Sequence, residues 1–130
     1  MTRRFLLDTH TFLWWASDAP ELSATACNVI SDTRNECFLS MASCWEMAIK
    51  SSLGKLRLSK PVDRFVQDLV MENGFRLLAI DLHHASKVEA LSFHHRDPFD
   101  RLIIAQAITE GLAIVSADNS FSDYAVKCIW

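Results

Sequence analysis

No stretch of this 130-residue chain approaches the ~18–20 consecutive apolar residues that a membrane-spanning helix needs, although half of its residues are hydrophobic. Arg3-Arg4 ahead of Phe5-Leu6-Leu7 is interrupted by Asp8 too early to form a secretory leader, so the expected location is the cytoplasm. The four cysteines, Cys27, Cys37, Cys44 and Cys128, show no C-x-x-C spacing and sit among apolar neighbours. That argues against a thiolate zinc site or a disulfide framework and for buried, reduced thiols. Positive charge is not in excess either: the net charge of −3 argues against binding nucleic acid through a broadly basic surface. A local basic patch stays open, because setting four acids aside as ligands leaves the rest of the chain close to neutral. There is no internal repeat, low-complexity tract or linker, and the length suits one domain spanning 1–130.

What is present is an alternation of short apolar runs and helical patterns. Arg4–Asp8 reads as a strand buried on both faces and placed centrally. A helix capped by Asp8 or Thr9 follows through Trp15, and another follows Leu22-Ser23. Cys37–Ser40 is a second strand, leading into a helix in which Ser43-Cys44-Trp45-Glu46 has the capping-box pattern. Pro61 opens a helix ending at Asn73-Gly74, Phe75–Ile80 is a third strand, and Asp81 caps a helix whose buried stripe is Ala85, Val88 and Leu91. His83, His84 and Lys87 are expected off that stripe. Asp97-Pro98 starts a helix that stops at Gly111, Leu112–Ser116 is a fourth strand, and Val126–Ile129 an edge strand. Strands alternating with helices predict an α/β fold, a mostly parallel sheet covered by helices on both faces.

In such sheets ligands bind beyond the carboxyl ends of the strands. Asp8 and Asp118 fall there, Glu46 lies on a helix leaving a strand, and Asp100 begins a helix that feeds one. Each has a structural excuse as a cap or first-turn acid. Together they repel one another unless a cation joins them, and oxygen ligands select a hard divalent ion, Mg²⁺ or Mn²⁺. Such a site supports metal-assisted hydrolysis of a phosphodiester. Asp97 is an additional candidate, although its place beside Pro98 suits a cap. Lys50, His95, Arg96 and Arg101 are candidate phosphate contacts, with Lys50–Glu46 and Arg101–Asp97 ion pairs as the plain alternatives. Trp14, Trp15 and Trp45 read as core or partner-surface residues rather than base-stacking platforms.

Leu6-Leu7-Asp8-Thr9-His10, Ser43-x-Trp45-Glu46-x-Ala48-x-Lys50, His95–Arg101 with Ala105-Gln106-Ala107, and Ser116-Ala117-Asp118 together resemble a PIN-domain ribonuclease, in the order and spacing of the VapC-like toxins. The resemblance spans essentially the whole chain. It implies a three-layer α/β/α sandwich and a Mg²⁺- or Mn²⁺-dependent endoribonuclease acting on RNA. It also implies a homodimer and neutralisation by a cognate antitoxin. It maps the family acids onto Asp8, Glu46, Asp100 and Asp118. Asp100 is preferred to Asp97 because it lies five residues before Ala105, and Thr9 is the hydroxyl that follows the first acid. The fourth motif departs from the family's Thr-x-Asp only by Ser116. A non-catalytic RNA- or protein-binding module is the alternative. An aspartyl-phosphate phosphatase is less favoured, because His10 stands where that chemistry wants a second acid.

Overall fold

Phe5, Leu6 and Leu7 are all buried, and they alternate between two separate cores: Leu6 packs with Ile103, Ile104 and Ala107, whereas Phe5 and Leu7 pack with Phe12, Ala26, Met47 and Val66. A strand whose side chains are buried on both faces belongs in the middle of a sheet covered twice. The computed structural model, which describes residues 3–94 and 97–130, places it there. Strand β1 (Arg3–Leu7) is the centre of a five-stranded sheet with β2 (Asn35–Ser40), β3 (Arg76–Leu78), β4 (Ala113–Val115) and β5 (Cys128–Ile129). The order is β3-β2-β1-β4-β5, and every pairing is parallel. The chain leaves β1 to one side for β2 and to the other for β4, so the topological switch falls at the end of β1.

Helices α1 (Thr9–Ala16), α2 (Ala24–Ser31), α3 (Met41–Ser52), α4 (Val62–Asn73), α5 (Leu82–Ala90) and α6 (Pro98–Glu110) complete three α/β/α layers. Helix α4 stops at Gly74 and α6 at Gly111, both with φ near +70°, where a side chain would be strained. Thirteen residues of α6 span about 20 Å, enough to run back along the sheet. Its first turn therefore stands at the carboxyl edge of the strands and its end delivers β4.

Two local expectations are corrected. Helix α3 begins three residues before the Ser43 capping box: Ser40 is its cap, its hydroxyl accepting from the Ala42 N–H. Glu46 consequently sits in the second turn, with no capping role. On α5 the buried side chain is His84 rather than Ala85, which is exposed. His84 Nδ1 accepts from the Asp81 N–H, so Nε2 carries the proton and donates to Glu110 across 3.1 Å. An imidazole with both nitrogens satisfied can be buried at little cost.

All four cysteines are free, but only Cys37 is fully buried; the others are half-buried. Burial pushes the Cys37 and Cys44 thiols up to about 11. Since the thiolate is the reactive form, an Ellman titration of the native protein at neutral pH should leave both unreacted for minutes. All four should react once urea unfolds the chain.

Candidate functional site

Strand register alone assembles much of the site. Leu7 pairs with Leu39 on one side and Val115 on the other, so the next residue, Asp8, emerges between Ser40 and Ser116. Asp8 is 6% exposed and caps α1: Oδ1 accepts from the Thr11 N–H at 2.8 Å, and Oδ2 accepts from the Ser116 hydroxyl at 2.5 Å. Ser116 Oγ in turn accepts from the Asp118 N–H at 3.0 Å. Asp118 is exposed and caps the short 3₁₀ turn Asn119–Asp123 through Ser120. One serine thus couples the first acid to the fourth.

Thr9 couples the first to the second. Its hydroxyl lies 2.7 Å from Glu46 Oε1 and 2.9 Å from Ser43 Oγ. A hydroxyl has one proton to give; the carboxylate takes it, leaving Ser43 to donate back to Thr9. Glu46 is 4% exposed, and its other oxygen is 2.7 Å from Lys50 Nζ. Hydrogen bonding to Glu46 raises the Lys50 ammonium pKa against its partial burial, with smaller contributions from the charges of Asp97 and Asp100. Lys50 therefore stands among three acids. Asp97 caps α6, accepting from the Phe99 and Asp100 N–H groups, and Asp100 occupies the first turn. Trp45 and Phe99, the residues before Glu46 and Asp100, meet edge to face with centroids 5.2 Å apart and tie α3 to that turn.

The acids are close but not closed. Among the described residues, the trio whose ligand atoms all lie within 4.8 Å is Asp81, His84 and Glu110. Its hydrogen bonds make it the α5 cap tied to the end of α6, and Glu110 lies at the opposite edge of the sheet. Asp8, Glu46, Asp100 and Asp118, the candidate acids, form no such trio among the described residues. Burial raises the Asp8 pKa, because desolvation outweighs the hydrogen bonds from Ser116 and Thr11 and the nearby charge of His10. A buried carboxyl short of compensating charge, with the carboxylates of Glu46, Asp100 and Asp118 as the other candidate ligands, fits a hard divalent ion, which prefers oxygen.

Other expected contacts divide. His95 and Arg96 lie outside the described residues. Lys50 reaches the cleft. Arg101 does not: it is buried, its guanidinium donating to the carbonyls of Val88, Leu91 and Ser92. That geometry favours a clamp on the end of α5, whose carbonyls need those donors, over a phosphate contact. Two residues bordering the site carry no role in it in the sequence reading, where His10 only completes the first motif and Trp14 reads as a core or partner-surface residue. His10, whose charge is felt by Asp8, and Trp14 face each other at 5.8 Å. Their i,i+4 spacing was the available signal, but it is equally the spacing of a core stripe.

The sequence of residues 5–127 matches the PIN domain. Ribonuclease VapC22 of Mycobacterium tuberculosis is 32% identical over 115 residues, covering 88% of this chain and 86% of that protein. The crystal structure of VapBC2 from Rickettsia felis, bound to a DNA fragment from their promoter, superposes with a TM-score of 0.73 at 12% identity, covering 98% of each chain. A toxin–antitoxin complex from Klebsiella pneumoniae gives 0.66 at 16% identity, covering 96% of this chain and 95% of the other.

Proposed function

The chain belongs to the PIN-domain family, and from that premise we propose that it is a metal-dependent endoribonuclease, the toxin of a toxin–antitoxin pair. The single observation that carries the reading is Glu46. Asp8, Asp97 and Asp118 all cap helices or turns, so their presence has a local explanation. Glu46 caps nothing: it is a buried carboxylate in the second turn of a helix, paired with Lys50 one turn on and reached by the residue that follows Asp8. Burying an acid there costs free energy; the Thr9 hydroxyl and the Lys50 ammonium offset it in the protein alone, and a bound cation would add to them.

Asp8, Glu46, Asp100 and Asp118 would hold Mg²⁺ or Mn²⁺, with Asp97 as a neighbour that adds negative charge. When bound, the ion activates water and neutralises charge developing on the phosphodiester. The protein's own residues do the positioning. Thr9 fixes the Glu46 carboxylate, Ser116 fixes Asp8 relative to Asp118, and Lys50 is placed to exchange its contact with Glu46 for a substrate phosphate. His95 and Arg96, next in sequence to Asp97, are proposed to add cations on the approach to the cleft. The 32% identity to a protein named a ribonuclease supports RNA as substrate. The likeness in fold to a toxin–antitoxin complex supports an antitoxin partner. A homodimer is part of the same reading. Among the described residues no helix is long and apolar enough to cross a membrane, which is compatible with a cytoplasmic location.

The test is cleavage of single-stranded RNA with Mg²⁺, with Mn²⁺ and with EDTA, repeated for Glu46→Gln. Cleavage should need the metal. The variant should lose roughly 10²-fold or more in rate, the scale of removing one placed electrostatic group, while its metal-free melting temperature stays near the parent's, since the lost charge pair with Lys50 is set against one acid fewer in the cluster. Cleavage undiminished in EDTA would overturn the proposal.

A further inference from the structure

Beside the acids a groove runs between α1 and the connection 53–60 that follows α3. Its first part, about 310 Å³, opens at Thr9, the residue that holds Glu46, and is bordered by His10, Trp14, Lys50 and Lys55. A second part, about 390 Å³, continues past Leu13, Ser17 and Leu56, which border both, to Arg57. Neither part is lined by an Asp or Glu. In a chain with net charge −3, a groove bordered by Lys55 and Arg57, with the Glu46-paired Lys50 at its mouth, and lined by no acid is a local reversal of sign. Along one wall His10 and Trp14 meet with ring centroids 5.8 Å apart, and outside the groove Trp130 backs Trp14 at 5.7 Å. Cations that follow a backbone and rings on which bases stack are the two elements of a single-strand track.

We propose that this groove holds the segment of single-stranded RNA adjoining the scissile phosphate. A base stacks at the His10–Trp14 pair, and Lys55 and Arg57 take the phosphates that follow. The assignment rests on the ribonuclease reading and deepens it, because a base seated one helical turn from the acids sets which phosphate reaches them. It favours RNA over a peptide segment because the groove is continuous with the acidic centre and its exposed charges, Lys55 and Arg57, are both positive. The apolar floor from Leu13 to Leu56 would accept either.

The experiment is fluorescence anisotropy of a labelled, mixed-sequence single-stranded RNA in EDTA, where no cleavage is expected. The parent would be compared with His10→Ala, Lys55→Ala and Trp14→Leu over a range of salt. His10 and Lys55 are exposed, so their variants keep the fold; Trp14→Leu is included only if its melting temperature matches the parent's. Loss of a stacking ring should weaken binding roughly 10-fold or more. Lys55→Ala should also lower the slope of log K against log salt by about 0.7. Parent-like affinity and slope in His10→Ala and Lys55→Ala would overturn the proposal. So would intact RNA binding with weakened binding of the cognate antitoxin, which would assign the groove to a protein. If the parent binds RNA but cuts none with metal, the ribonuclease reading fails and the binding comparison still decides the groove. If the parent binds no RNA, both fail.

Discussion

Replacing Asp8 with Asn should lower the rate of RNA cleavage by roughly 10³-fold, since a metal's contribution is worth several kcal/mol and each 1.36 kcal/mol is tenfold. The metal-free protein should remain as stable as the parent or more so. Asn is nearly isosteric: its oxygen can still accept from the Thr11 N–H, and the Ser116 hydroxyl can turn to accept from the new amide. What disappears is the charge. Burial raises the Asp8 pKa in the fold, so the folded state holds its proton to higher pH than the unfolded chain does. Stability contributed by the protonated acid is complete below the unfolded value and is lost as pH rises through the raised folded value. At neutral pH the parent bears that cost and the variant does not. Mg²⁺ should reverse the balance for the parent: at a hundred times Kd, binding would add about 2.7 kcal/mol, on the order of 10 °C for a domain of this size. The variant should gain little of it. Thermal melts with and without Mg²⁺, paired with cleavage rates, check both parts. Full metal stabilisation in Asp8→Asn would remove Asp8 from the metal site. A sharp fall in the metal-free melting temperature would instead make helix capping its principal role.

The parts of this molecule that were legible in the sequence are those set by local pattern. β1 announces itself because a strand covered on both faces must be apolar throughout, and Asp8 and Asp118 could be placed because they follow the ends of apolar runs. Gly74 and Gly111 ended their helices as glycines do. Glu46 was found but misjudged: Ser40 and Ser43 cap equally well on paper. The choice of Ser40 is made by β2, whose pairing with β3 runs through Ser40 and Leu78 and leaves α3 to start at once. The rest depended on partners distant in the chain. His84 is buried because Glu110, 26 residues away, accepts its proton. The groove exists only where α1 meets a connection some 40 residues later, so His10 and Lys55 could not be joined by spacing.

Arg101→Ala should be among the most destabilising single substitutions in the protein, and the reason is again non-local. The guanidinium is 6% exposed. Nη1 donates to Ser92 O at 2.9 Å and lies 3.4 Å from the Tyr124 hydroxyl, and Nη2 donates to Val88 O at 3.2 Å and Leu91 O at 3.4 Å. Those carbonyls are at or just past the end of α5, where Val88 O accepts from the Leu91 N–H but the helix offers no N–H to Leu91 or Ser92, and a cation there also faces the negative end of the helix dipole. The exposed ring of Phe93 covers the guanidinium at 4.3 Å. Truncation to Ala takes the donor from the buried Leu91 carbonyl and the part-buried Ser92 carbonyl and empties a buried site, at about 2–3 kcal/mol in all, on the order of 10 °C in melting temperature. Arg101→Lys keeps the charge but not the fork that spans three carbonyls, so it should recover only part of the loss. Cleavage should fall along with stability, because the 91–94 segment leads toward Asp97 and Asp100. The two possible roles separate cleanly in a melt. A phosphate contact would leave the melting temperature within a degree or two of the parent and weaken RNA binding, whereas a clamp on the end of α5 lowers the melting temperature first, in the absence of any RNA.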